Sequence, residues 1–286
     1  MPEEASSPSL LPNLLEALNQ GVRAGASGGL AMMAQVSAFM WLHTVVKYQY
    51  RHGTPATETF RLLWSEGGFL RFYRGYGLAI MNASISRGGS TASNQVSLTL
   101  LDFLNKDMPI WLKTMFSAGL AATCKIAFTP LDMVQTTLQV GGCVGRTDLA
   151  MKIKEQGILV LWHGSRAIFI SALVSNFSWF VVYNTLTRRW PSIDNRGQQI
   201  IRDGSIGLLC SFTADVCSNS LKVVKTHRQT TRDSIGYFQA FSDIVKKDGI
   251  IGPFTRGLKM RLLVNGCQGA FFTIVWNGLQ RKLQEK

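Results

Sequence analysis

Three glycines stand at matched points along the chain. Gly75 ends the segment GGFLRFYRG, Gly164 ends QGILVLWHG and Gly257 ends DGIIGPFTRG. The spacings are 89 residues (75 to 164) and 93 residues (164 to 257). Each glycine follows an aromatic residue or threonine and then a basic one: Tyr73-Arg74, Trp162-His163 and Thr255-Arg256. Each also precedes an apolar run. The chemistry this suits is phosphate binding at a helix start. Glycine lets backbone N–H groups approach the anion, the helix dipole favours it, and a neighbouring cation adds charge. A single copy reads equally well as a glycine required by a tight turn, but three in-phase copies favour the site.

A second chemical feature is a pair of charges inside apolar stretches. Lys125 lies five residues before Pro130, and Asp215 lies five before Ser220. A lone charge in a membrane interior costs several kcal/mol, roughly 3 or more. A Lys125–Asp215 salt bridge is therefore expected. Alternatively the two hold opposite ends of a zwitterion, or one of them snorkels to an interface. Arg87 is a third candidate interior charge. Metal and catalytic chemistry find no support. The cysteines at 124, 143, 210, 217 and 267 form no CxxC pair, and the four histidines are not spaced as ligands. No HExxH, P-loop, GxGxxG or nucleophile–base pattern occurs, so neither an enzyme nor a cofactor is expected.

These groups require elements that hold them in an apolar medium. The 286 residues are 46% hydrophobic and 16% charged, against about 25% charged in an average soluble domain. Six stretches approach the roughly twenty apolar residues of a membrane-spanning helix, at about 22–46, 76–101, 112–135, 165–187, 204–224 and 258–279. All mix Gly, Ala and Ser with larger apolar residues, which suits helices packed around a polar interior. Long basic connectors follow the first, third and fifth stretches, with Lys47, Arg51 and Arg74 in one, Lys152 in the next, and Lys225, Arg228 and Lys247 in the last. The positive-inside tendency puts all three on one membrane face and both termini on the other. The net charge of +13 follows these connectors rather than one aromatic-interleaved helix face, which argues against nucleic acid as a partner. Glu3 and Glu4, with no early Arg, argue against a cleaved leader.

The threefold repeat with these features resembles the mitochondrial carrier family over about residues 20–282. The family's odd helices carry a PxDxxKxRxQ-like motif. Here one copy is PLDMVQTTLQ, Pro130 to Gln139, and a degraded copy is SLKVVKTHRQ, Ser220 to Gln229. Small-residue pairs, Ser117/Ala121 and Gly207/Ser211, precede them, with Gly25/Gly29 as counterparts in the first helix. The resemblance implies an all-α membrane protein: one carrier domain of six transmembrane helices in three pseudo-symmetric repeats with short matrix helices. The repeats fall at about 20–105, 110–190 and 200–282, after an N-terminal extension, 1–19. It further implies the mitochondrial inner membrane, with both termini toward the intermembrane space. Cardiolipin is implied as bound lipid at the even-helix starts, at Arg74, Gly75, His163, Gly164, Arg256 and Gly257, with no other cofactor.

The sequence also departs from the family's gating pattern. On the matrix side each motif's acid is expected to pair with the next motif's lysine. Repeat two keeps Pro130 and Asp132 but has Gln135 at the lysine position. Repeat three has Ser220 for proline and Lys222 for the acid, and keeps Lys225. In repeat one the proline position is either Ala38 or Leu42. At most one pair, Asp132 with Lys225, can form. At the opposite gate the acid positions are Gln95, Asn184 and Asn277, and the basic positions Leu98, Thr187 and Gln280. Seven residues past each helix-start glycine, where the family contacts its solute, stand Asn82, Ser171 and Val264, followed by Ala83, Ala172 and Asn265. None is charged. These losses favour a structural or interaction subunit of an inner-membrane assembly, such as a respiratory-chain complex, whose other subunits would be its partners. The alternative is a transporter of a neutral or zwitterionic metabolite working by alternating access.

Overall fold

A computed structural model describes residues 33–104, 109–190, 196–269 and 271, and all regular structure among them is helical. Helix α1 covers residues 33–52, α2 Ala56–Phe72, α3 Tyr76–Leu104 and α4 Ile110–Ala127. Helix α5 covers Thr129–Gln156, and a 3-10 turn, Ile158–Trp162, leads to α6, Ser165–Arg189. Helix α7 covers Arg196–Thr230, α8 Tyr237–Asp248, α9 Gly252–Thr255 and α10 residues 258–269. The extension 1–19, Gly25, Gly29, Asn277 and Gln280 lie outside the described residues.

The spans are long enough for a bilayer. Helix α3 has 29 residues and α6 has 25, about 43 and 37 Å at 1.5 Å per residue, against about 30 Å of hydrocarbon. Among the described residues only Ile158–Arg189 is by length and composition both long and apolar enough to cross alone. The others carry polar and charged groups, such as Asp215, Lys222 and Lys225 on α7. Such groups are tolerated within a bilayer where they face a shared interior rather than lipid.

The spans close into a ring. Ser37 on α1 meets the Tyr76 hydroxyl of α3, and Tyr73 Oη donates to the Ser37 carbonyl at 2.9 Å. Helix α3 packs on α4, α4 on α6 and α6 on α7. Asp215 and Asn265 join α7 to α10. Gln268 of α10 meets His43 of α1 at 2.9 Å, and Phe39 packs edge-on against Phe271 with centroids 5.5 Å apart.

The third stretch departs from expectation: it is two helices rather than one. Pro130 has no N–H to donate, so α4 stops at Ala127, and Phe128 (φ −97°, ψ 7°) separates it from α5. Helix α7, with Ser220 at the corresponding place, runs unbroken through 35 residues.

The connector helices pack against one end of the ring. In α8, Ala240 and Ile244 lie one turn apart and are fully buried, while Lys246 and Lys247 occupy the last turn and complement the helix dipole. Ala240 and Ile244 join Leu42, Val46 and Tyr50 of α1, Val223 and Val224 of α7, Ile235, and Val264 of α10 in one apolar cluster. A second cluster joins Val45 to Leu63 and Phe72, and a third joins Met133, Leu149 and Val160. The core therefore sits where the odd spans meet the connectors.

Candidate functional site

The helix-start glycines establish the register of the first repeat. A Cβ on Gly257 would meet the Tyr50 ring at 2.8 Å, and one on Gly75 would meet Leu138 at 3.5 Å. Leu138 lies eight residues after Pro130, and Tyr50 eight after Leu42. Leu42, rather than Ala38, therefore takes the proline position, with Thr44 at the acid position and Lys47 at the lysine position.

With that register, three helix junctions close the connector end. Between α5 and α7, Asp132 pairs with Lys225 Nζ at 2.6 Å, both groups being largely buried. Gln229 Nε2 donates to Asp132 Oδ2 at 3.2 Å and to the His163 carbonyl at 3.0 Å, bracing the pair. Between α1 and α5 the matched positions, Thr44 and Gln135, form no charge pair, although Lys47 of α1 lies within electrostatic reach of Asp132 of α5. Thr44 donates its hydroxyl to the Phe72 carbonyl at 2.8 Å, Gln135 accepts from Asn82 Nδ2 at 2.8 Å, and Lys47 Nζ donates to Thr136 Oγ1 at 3.1 Å. Between α7 and α1 the matched positions, Lys222 and Lys47, have the same charge. That contact is carried instead by Arg51, which donates to the His227 ring at 2.9 Å and to Thr231 Oγ1 at 2.7 Å. One ion pair and several hydrogen bonds, worth about 1 kcal/mol each where neutral, hold the end shut.

A cavity of about 270 Å³ opens between α6, α7 and α10. Ser175, Asn176 and Trp179 line it from α6, Asp215 and Lys222 from α7, and Arg261 and Asn265 from α10. Asp215 accepts from Lys222 Nζ at 2.7 Å, from Arg261 Nε at 3.4 Å, and from Asn265 Nδ2. One carboxylate thus faces two cations, leaving the cluster with one net positive charge.

The expected Lys125–Asp215 bridge does not form. Lys222 lies seven residues, about two turns, beyond Asp215 on the same helix face, so it reaches the carboxylate directly. Lys125 is on α4, which packs against α6 rather than α7 in the ring, and lies within electrostatic reach of Lys225. Val264 is also misplaced by the sequence reading. It is fully buried in the apolar cluster with Val223 and Ile244, while Asn265, its neighbour, faces the cavity. Asn82 engages Gln135 at the closed end. Ser171 turns back to the Ile168 carbonyl at 3.1 Å, and the Ala172 carbonyl accepts from Asn176 at 2.7 Å. Ala83 is half-buried on α3. Arg87 falls within α3, but its side chain, like those of Gln95 and Leu98, is outside the described set. Sequence reasoning missed Arg261, Asn176 and Trp179. The available signal for Arg261 was its position one turn after Gly257 and one turn before Asn265 in an apolar run.

The three helix-start glycines all have left-handed backbones, with φ of 80° at Gly75, 110° at Gly164 and 63° at Gly257. Their basic neighbours diverge. Arg256 is 5% exposed and points inward, donating to the Arg51 carbonyl at 3.0 Å and pairing with Asp248 at 2.6 Å. Its burial at the end of α1 directs it away from a lipid phosphate, with Nε and Nη1 engaged and Nη2 buried without a partner. Arg71, a further basic residue of the first connector, does the same for α5: it donates to the carbonyls of Gln139 at 2.9 Å and Val140 at 2.8 Å, and pairs with Glu66 at 2.7 Å. Arg74 and His163 are half-buried. Burial, then Arg228 and Lys152, hold the His163 pKa below its ordinary value, so it is a weak source of positive charge. Just past Gly164, a groove of about 440 Å³ has Arg166 at its edge and is walled by Tyr237, Phe238 and Phe241.

Comparison with known proteins gives one family. The model of the family described as "Mitochondrial carrier protein" matches residues 107–193 and 197–286, well over half of the chain. Calcium-dependent mitochondrial ATP-magnesium/phosphate carrier protein 3 of Arabidopsis thaliana is 23% identical over 278 residues, 91% of this chain and 56% of the plant protein. Peroxisomal membrane protein PMP34 of Mus musculus is 25% identical over 181 residues, 58% of this chain and 58% of the mouse protein. The chain spans a little over half the length of these curated relatives.

Proposed function

The chain belongs to the mitochondrial carrier family, a family of transporters rather than enzymes, and from that premise we propose that it moves a small amphoteric solute across the mitochondrial inner membrane. The observation that carries this reading is the Asp215–Lys222–Arg261 cluster in the cavity. Buried ion pairs contribute little net stability, and ionisable groups inside a membrane are functional by default. A scaffold has no need of three such groups in an open cavity. The neutral residues Asn82, Ser171 and Val264, which favoured a subunit role in the sequence, are not where the charge is. The plant relative is named for ATP-magnesium and phosphate. A cluster with one net positive charge suits a smaller, less charged solute.

The direct test is reconstitution of the purified chain into cardiolipin-containing liposomes loaded with a mixture of amino acids, carboxylates and nucleotides. Exchange with at least one external solute, lost in D215N, is expected. Absence of exchange with every solute would refute transport.

A second reading, a structural subunit of an inner-membrane complex, draws support from the like-charged Lys47/Lys222 junction and the single remaining ion pair. Co-migration with a large complex in native gels of mitochondrial membranes, together with no uptake, would establish it. Cardiolipin is the proposed bound lipid, seated beside the starts of α3, α6 and α10 with Arg74 and Arg166 as nearby cations. The proposed orientation has the connectors in the matrix and both termini in the intermembrane space. Protease protection of an N-terminal tag in mitoplasts tests it: a protected tag would reverse the topology.

A further inference from the structure

Internal symmetry gives Lys222 and Lys47 matched positions on α7 and α1. Asp132 of α5 meets Lys225 of α7 at 2.6 Å. One repeat on, the same two positions are Lys222 of α7 and Lys47 of α1, a correspondence that rests on the matched contacts of Gly75 and Gly257. Two ammonium groups cannot pair there. Lys222 instead lies back along its own helix, against Asp215 at 2.7 Å, and Lys47 donates to Thr136 with Asp132 of α5 within electrostatic reach. We infer that Asp215 is a restraint that keeps the charge of Lys222 out of the α7–α1 junction, and that a solute bearing both an ammonium and a carboxylate group unlocks the closed end by taking Asp215 for itself.

The chemistry of the cluster selects such a solute. Its ammonium group replaces Lys222 as the counter-ion of Asp215. Its carboxylate takes Arg261, whose Nε is now 3.4 Å from Asp215, so both charges fit within one small molecule. Asn265, already bonded to Asp215, and Asn176 across the cavity supply further polar partners. A simple amine would strip Arg261 of its acid and leave it unpaired. A simple carboxylate would bind the cations without competing for Asp215. Only the amphoteric molecule neutralises the cavity and frees Lys222 in one step. The freed ammonium then swings toward Lys47 and weakens a junction otherwise held by Arg51 with His227 and Thr231. The restraint itself is a property of the chain, while its role in gating rests on the transport reading above.

Two double-mutant cycles on the thermal unfolding of the full chain, purified in detergent with cardiolipin, test the restraint without any solute. In the first, Asp at position 222 can pair with Lys47. K222D should unfold about 5 °C above K222N, and this gain should disappear in the K47Q background, as coupling between contacting sites requires. In the second, D215N releases Lys222 toward Lys47, so D215N should be destabilised and K47Q should recover much of the loss. Strict additivity in both cycles would overturn the inference while leaving transport by the wild-type chain unaffected. Failure of the wild-type chain to take up any solute would instead overturn the transport reading. For the solute class, the probes are the twenty standard amino acids, with acetate and methylamine as single-charge controls, scored by shifts in the unfolding midpoint. At least one zwitterion should shift the wild-type chain and leave D215N unmoved. A panel in which no zwitterion acts, or in which acetate acts equally well, would overturn the class assignment.

Discussion

Replacing Asp132 by Asn tests the one ion pair that closes the connector end. Asp132 and Lys225 are 2.6 Å apart and less than one-fifth exposed. At an effective dielectric of about 20, the Coulomb attraction at that distance is roughly 6 kcal/mol. Dehydration of the two groups offsets much of it, and breaking a buried pair by removing one partner typically costs about 3–5 kcal/mol. The surroundings place D132N at the upper part of that range. Lys47 and Lys125 both lie within electrostatic reach of Lys225, so loss of the carboxylate leaves Lys225 with two like charges and no counter-charge. Gln229 also exchanges a charged acceptor for a neutral amide oxygen, keeping the His163 carbonyl. At about 2–4 °C per kcal/mol for a chain approaching this size, D132N should lower the unfolding midpoint by about 10 °C. K225Q should cost less, since it leaves the acid with Gln229 and Lys47 nearby. The double variant should cost less than the two singles together, because the unpaired charge is gone. The assay is thermal unfolding of detergent-purified protein, followed by thiol labelling of the native cysteines. A midpoint change below about 2 °C for D132N, or additive singles, would refute the claim that this pair holds the end shut.

Three further perturbations follow from the same geometry. Lys152 Nζ is buried without a hydrogen-bond partner, and burial, then Arg228 and Arg51, lower its pKa to about 8. The unfolded chain holds that proton up to about pH 10.4. Its destabilising contribution is therefore complete below about pH 8 and fades as pH rises toward 10.4; K152M should raise the midpoint at pH 7 and flatten its rise between pH 8 and 10. G257A should be worse than G75A. Both have left-handed backbones, costing about 1–2 kcal/mol, but the new Cβ meets the Tyr50 ring at 2.8 Å in the first and only Leu138 at 3.5 Å in the second. Circular dichroism melts that rank them equally would contradict this packing. R71Q removes the group that holds two carbonyls of α5 and Glu66; a loss of about 3 kcal/mol or more is expected, read as reduced expression and faster trypsin cleavage near Gly142.

What was legible in the sequence was mostly local. The three glycines stand before helices with left-handed backbones because each chain reversal between connector and span needs that conformation within a few residues. Pro130 breaks its helix wherever that helix sits. The Asp132–Lys225 pair could be named because the family resemblance pairs each motif's acid with the next motif's lysine, and this is the one such pair that the sequence keeps. The errors were of another kind. Arg256 stands beside Gly257, where the resemblance implies a lipid contact, yet it reaches into the end of α1, an element about two hundred positions away in the chain. Lys125 and Asp215 were matched by their equivalent positions, although Lys222, two turns from Asp215 on one face, was the nearer candidate. Val264 and Asn265 differ by about 100° around α10, and periodicity alone does not say which of them looks inward.

The helix-start glycines and the apolar stretches are properties of short segments, so the order of residues determined them without reference to the rest of the chain. Which charges meet was decided only by tertiary structure. The rotation of α10 follows from burying Val264 against Val223 and Ile244, and that rotation brings Arg261 and Asn265 to Asp215. Pairing energies depend steeply on distance and burial, and both are defined only once the ring of helices has closed.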